Sequence, residues 1–163
     1  MTNPFLTNWS TPFELPPFDQ IKDEHFAPAF DEAFKQSRAA INAIADNPEP
    51  PTYANTIDAL ERADELMEKV AGVFFNISGS DSNEARQALQ RDLAPRFTAF
   101  NSETMMNEAL FKRIETLNAN RTGNSAEQNR VLDLYHRRFV RASANLTGDA
   151  KKRMPEGTSR LAA

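Results

Sequence analysis

The chain has two imidazoles, His25 and His136, and no cysteine. Metal-assisted hydrolysis needs three protein ligands and an open coordination position. Here both histidines and a carboxylate would have to meet from distant parts of the sequence, with no His-x-x-x-His pair to start from. Glu24 beside His25 does not help, since adjacent helical residues point in different directions. His136, next to Tyr135, reads as a packed histidine at the edge of a core. Ser78, Ser80 and Ser82 fall where one helix ends and another begins, which is where hydroxyls cap backbone N–H groups rather than attack substrates. Glu61, Asp64, Glu65 and Glu68 share a polar, solvent-facing helix face. The glycines build no phosphate-cradling loop: Gly72 falls inside a helix, Gly79 at a helix C-cap, and Gly148 and Gly157 in turns. The residues therefore present no catalytic, cofactor-binding or metal-ligating site in this chain.

Composition narrows the function classes further. At 163 residues the chain is the size of one domain, and its longest apolar run, Val70 to Phe75, is far too short to cross a bilayer. The first residues lack the basic and apolar regions of a secretion signal, and with no cysteine a reducing, cytoplasmic setting is expected. Residues 1–80 carry 13 acidic and 5 basic side chains, net −8, whereas residues 81–163 carry 10 and 14, net +4. Overall acidity argues against nucleic acid as a partner, and Arg137, Arg138 and Arg141 read as a solvated basic face.

The elements that remain are helical. An opening rich in proline and phenylalanine, through Phe18, is an extended arm with apolar side chains, because each proline restricts itself and the residue before it. Phe26, Phe30, Phe34, Ser37, Ile41 and Ile44 recur at helical spacing and predict a helix from about Asp23 to Asp46, ended by Asn47-Pro-Glu-Pro-Pro51. Ile57, Leu60, Met67, Val70, Phe74 and Ile77 predict a second, antiparallel to the first. Asp81 with Glu84 has capping-box spacing for a third, which Pro95 should kink. Asn107 to Asn118 is a short amphipathic piece. Ser125 with Gln128 repeats the capping-box spacing before a helix whose Leu132, Tyr135, Phe139, Ala142 and Leu146 line one face. The expected fold is all-α: antiparallel hairpins in a bundle of five to six helices, with residues 1–22 as the arm, 23–146 as the helical domain, and 147–163 as the start of a truncated or rearranged helix.

Five segments in this order resemble a known family. They are Asn3-Pro-Phe-Leu6, Phe13-Glu-Leu-Pro-Pro-Phe-Asp-Gln-Ile-Lys22 with Glu24-His-Phe-Ala-Pro-Ala-Phe30, Pro51-Thr-Tyr-Ala-Asn-Thr-Ile57-Asp-Ala-Leu-Glu-Arg62, Val73-Phe-Phe-Asn-Ile77, and Asn107-Glu-Ala-Leu-Phe111. Together they resemble the N-terminal part of the thimet oligopeptidase family, in particular the bacterial peptidyl-dipeptidases and oligopeptidase A, up to about Met154. The resemblance implies a zinc metallopeptidase several times this length, whose His-Glu-x-x-His helix and third glutamate ligand lie far downstream. It also implies that these helices wall a narrow channel admitting short unfolded peptides. On that reading the chain is inert alone and its partners are the catalytic lobe of the same protein and, through it, short peptides. Pro155-Glu-Gly157 departs from the family pattern, where a helix would run on. The alternative is an independent helical module that binds a protein partner through its aromatic face, without peptidase activity. On the first reading, as a wall without its lobe, the chain is expected to expose an apolar patch on the second or third helix, covered by homo-oligomer formation, as a homodimer or higher species.

Overall fold

Pro48 sets the end of the first long helix, because the residue before a proline is pushed out of the helical region. That helix, α1, spans Phe26–Ala45. Asn47 then turns the chain, its side-chain oxygen accepting from the Glu49 N–H at 2.9 Å. The structure is a computed structural model and describes residues 2–142. Three short 3-10 turns precede α1, at Pro4–Leu6, Pro12–Glu14 and Asp23–His25. After it come one π-helical turn at Ala54–Asp58 and helices α2 (Ala59–Ala63), α3 (Glu65–Ser80), α4 (Glu84–Met105), α5 (Glu108–Ala119) and α6 (Ala126–Arg141). Among the described residues the regular structure is all helical, and the fold class is all-α.

The apolar stripe of α1 is the one its periodicity predicts, with Phe26, Phe30, Phe34, Ser37, Ile41 and Ile44 all buried. Its start is three residues later than expected, since Asp23–His25 form a 3-10 turn. Pro28 thus lies in the first turn, where a missing N–H costs no helical bond. The second stripe differs more. One continuous helix was the expectation, but the chain breaks at Asp64 (φ −106°, ψ 14°) between α2 and α3. The break falls where the chain passes from one compact unit to another: Arg38–Ala63 with Ala94–Ala163 form one, Met1–Ser37 with Asp64–Leu93 the other. Leu60 and Ala63 therefore serve a different core from Met67, Val70 and Phe74.

Capping shows which local signals the chain uses. Asn83, not Asp81, starts α4, its Oδ1 accepting from the Arg86 N–H at 2.9 Å. Asp81 instead ends α3, its N–H bonded to the Ile77 carbonyl. Gly79 accordingly lies inside the last turn of α3 and is not a C-cap. Pro95 leaves α4 unbroken; Arg91 and Pro95 are both exposed, so the carbonyl deprived of its helical donor is on the solvent side. The Asn107 side chain accepts from the Leu110 N–H at 2.9 Å and caps α5. Ser125 and Gln128 form the capping box in both directions, at 3.1 and 2.9 Å. Between α5 and α6, Gly123 takes φ +86°, a left-handed turn that glycine adopts without strain. The expected continuation of the α6 face to Leu146, and the expected helix start at residues 147–163, lie outside the described residues.

Each unit has its own core. In the first, Phe74 of α3 packs edge-on against Phe30 at 5.4 Å and Phe26 at 5.1 Å, and Phe5 of the arm reaches Phe26 at 5.3 Å. In the second, Phe111 of α5 stacks on Phe139 of α6 at 6.1 Å, with Ile57, Leu110, Ile114 and Leu132 fully buried. Phe74 touches two buried rings of α1, Phe26 and Phe30, so Phe74→Ala removes contacts and leaves a cavity together. It should cost about 3–5 kcal/mol in urea unfolding, against a small-domain total of about 5–15 kcal/mol. A loss below about 1 kcal/mol would mean the rings do not form one cluster.

Candidate functional site

The arm is built in two parts with opposite character. Its first part is anchored. Asn3 accepts from the Phe5 N–H at 3.1 Å and donates through Nδ2 to the His25 carbonyl at 2.8 Å, so the turn Pro4–Leu6 is tied to the start of α1. Phe5 is 1% exposed and lies against Phe26. The Trp9 indole N–H donates to the Pro4 carbonyl at 2.9 Å. Lys69 of α3 stands 4.3 Å from the Trp9 ring centroid and donates to the Thr7 carbonyl at 2.7 Å. Burial pulls the Lys69 ammonium below its ordinary value, against the opposing pull of Glu65.

The second part buries Pro17 but leaves its large apolar side chains exposed. Phe13 is 94% exposed, Leu15 57% and Phe18 53%. Phe13 (φ 57°, ψ 22°) and Glu14 (φ 54°) both adopt the left-handed conformation that non-glycine residues avoid, at a cost of about 1–2 kcal/mol each. Hydrogen bonds close the turn: the Glu14 N–H donates to the Thr11 carbonyl at 3.0 Å, the Leu15 N–H to the Pro12 carbonyl at 3.3 Å, and the Thr11 hydroxyl to the Leu15 carbonyl. The exposed large apolar side chains among the described residues are Leu6, Phe13, Leu15 and Phe18 in the arm, Phe75 on α3, and Leu134 and Val140 on α6. The second and third helices, where an apolar patch was expected, contribute little to that set. The left-handed pair had no sequence signal beyond the crowding of Pro12, Pro16 and Pro17 around it.

The second unit contains a polar node that the sequence reading missed. Arg113 of α5 is 6% exposed, and its guanidinium donates to the Asn47 carbonyl at 2.8 Å, the Glu49 carbonyl at 3.0 Å and Asn55 Oδ1 at 2.8 Å. Asn55 also accepts from the Thr52 N–H at 2.8 Å and the Thr56 hydroxyl at 3.0 Å, and donates to the Pro50 carbonyl at 3.1 Å. The signal was available: Arg113 occupies the third place of the buried series Leu110, Phe111, Arg113, Ile114, Leu117. Nearby, burial raises the Tyr53 phenol above its ordinary value, and Asp58, Glu61 and Glu127 add to the rise. Tyr135 donates its hydroxyl to Glu61.

The residues weighed for chemistry sit in structural roles. His25 Nδ1 accepts from the Lys22 N–H at 3.0 Å. His136 stacks on Phe111 with centroids 5.9 Å apart. Ser80 donates to the Asn76 and Ile77 carbonyls of its own helix, while the Ser78 hydroxyl is buried without a partner. Arg137, Arg138 and Arg141 are exposed on α6. Among the described residues no group of three or more His, Cys, Asp or Glu side chains is placed to hold a metal ion.

With this geometry in place, comparison with known proteins gives a consistent answer. No protein-family model matches the chain. A dipeptidyl carboxypeptidase of Salmonella typhimurium is 37% identical over 155 residues, which is 94% of this chain and 23% of that protein. The dipeptidyl carboxypeptidase of Escherichia coli is 37% identical over 154 residues, 93% of this chain and 23% of that protein. Oligopeptidase A of Escherichia coli is 28% identical over 165 aligned positions, 99% of this chain and 23% of that protein. The chain is thus a homologue of one segment of these peptidases, consistent with their N-terminal region, and spans under a quarter of the length of the curated relatives it matches.

One ion pair at the base of the arm makes a pH prediction. Burial by itself raises the Asp23 carboxyl, but the Asn83 amide at 2.7 Å and Arg86 at 2.7 Å outweigh it and hold the group below its ordinary value of 3.8. A carboxyl more acidic in the folded state adds stability that is complete above the unfolded value and fades as pH falls through the lower folded one. Asp23→Asn should therefore lower stability near pH 7 and flatten the loss of stability below about pH 4. Parallel unfolding curves for both proteins across that range would contradict the assignment.

Proposed function

We propose that this chain is the N-terminal helical segment of a longer zinc-dependent peptidyl-dipeptidase or oligopeptidase of the cytoplasm, and forms part of the wall along which short peptides reach a catalytic lobe. The observation that carries the reading is end-to-end homology: 94% of the chain aligns with 23% of a dipeptidyl carboxypeptidase. The described residues are compatible with it, since His25 and His136 stand in separate settings, one accepting from the Lys22 N–H and the other stacked on Phe111, and no group of three or more potential ligands forms among the described residues. In this reading the arm of residues 1–22 and the helices that follow supply surface and shape, while zinc and its ligands belong to the remainder of the protein. Short peptides are the substrates of the whole, and neither nucleic acid nor membrane is a partner. No described helix is long and apolar enough to cross a membrane.

Reading the coding DNA past codon 163 tests this directly, with an in-frame His-Glu-x-x-His as the expected result. The product of the whole frame should release dipeptides from short peptides, lose that activity to a chelator and regain it with zinc. The 163-residue chain with zinc should release none. A stop codon after Ala163, or a whole-frame product without chelator-sensitive peptide cleavage, contradicts the reading.

A further inference from the structure

The arm tip carries the exposed apolar surface with the most structure behind it. Phe13, Leu15 and Phe18 lie within six residues, and their exposed fractions amount to roughly 400 Å² if a large side chain presents about 150–250 Å². The turn that displays Phe13 is held in a left-handed conformation by bonds from Thr11, Glu14 and Leu15, so the ring is presented in one direction without a packing partner. Strained, ordered backbone at an exposed aromatic is the pattern of a preorganised contact rather than of a frayed terminus.

We propose that this tip is a docking knob that inserts into an apolar pocket, rimmed by cationic side chains, on the part of the same polypeptide beyond these 163 residues. The proposal rests on the functional reading above. Three observations choose this occupant. An area of roughly 400 Å² per side is about half of what a specific intermolecular interface buries per partner, about 800 Å², so a second copy would be held weakly. A covalently linked pocket avoids the cost of bringing two molecules together and needs no larger area. The homologous peptidases extend over four times the aligned length, and so supply further chain for such a pocket. The cationic rim follows from Glu14 and Asp19, the ionisable side chains of residues 2–21, both acidic and exposed.

The test places p-benzoylphenylalanine at position 13 in the product of the whole reading frame and maps photo-cross-links by mass spectrometry. Intramolecular cross-links to residues beyond 163 are expected. In parallel, Phe13→Ser should lower the thermal midpoint of the whole-frame protein by several degrees and leave that of the 163-residue chain unchanged. Cross-links only to a second copy, only within residues 1–163, or none at all overturn the proposal, as does an equal midpoint shift in both proteins. These outcomes are distinct from failure of the functional reading: a whole-frame protein that cleaves peptides but gives no such cross-link sinks the knob alone, whereas a frame that ends at codon 163 removes both.

Discussion

The contact on which the first unit depends is the meeting of Phe74 with Phe26 and Phe30. One ring on α3 touches two rings one helical turn apart on α1, and both contacts are tilted toward the edge-to-face geometry that aromatic quadrupoles favour. Phe26 then offers its remaining surface to Phe5, and Asn3, Trp9 and Lys69 secure the chain on either side of that ring. The arm is thus an extension of the helix core by one residue, not an independent element. Its ordering entropy is offset by one buried phenylalanine and a few charge-assisted or backbone hydrogen bonds.

The second unit is organised by polar groups instead. A buried guanidinium is costly unless its donors are bonded, and Arg113 bonds two backbone carbonyls and the Asn55 side chain through Nη1 and Nη2, while its Nε is buried without a partner. Those carbonyls belong to the Pro-rich connector, whose prolines donate nothing themselves. Arg113 and Asn55 therefore supply from side chains the bonds that a helix or strand would supply from backbone. The stretch Pro51-Thr-Tyr-Ala-Asn-Thr-Ile57, unremarkable as a string, is the part of the chain where these bonds converge. That gives a physical reason for it to be one of the segments by which the resemblance is carried.

What could be read from the sequence was whatever depends on near neighbours. The α1 stripe and the Ser125–Gln128 box involve residues three or four apart, and both are present. What could not be read depends on partners far along the chain. Asn83 takes the cap of α4 instead of Asp81, and its amide and the Arg86 guanidinium both bond Asp23, 60 and 63 residues earlier. The stripe from Ile57 to Ile77 broke at Asp64 because its two halves belong to different cores, which periodicity alone does not separate. The family resemblance came from ordered segments rather than from any site. The aligned stretch covers 23% of a dipeptidyl carboxypeptidase, and among the described residues no group of three or more His, Cys, Asp or Glu side chains is placed to hold a metal ion.

The central claim is that the arm divides into a buried anchor at Phe5 and an ordered, uncovered tip at Phe13. Fluorine NMR on the 163-residue chain labelled with fluorophenylalanine, with each ring assigned by substitution, tests it most directly. Phe5 and Phe74 should give shifts well dispersed from the free amino acid and little response to a soluble paramagnetic agent, while Phe13 should lie near the free value and broaden strongly. A shielded, dispersed Phe13 resonance, or a Phe5 resonance that broadens as Phe13 does, would contradict the account.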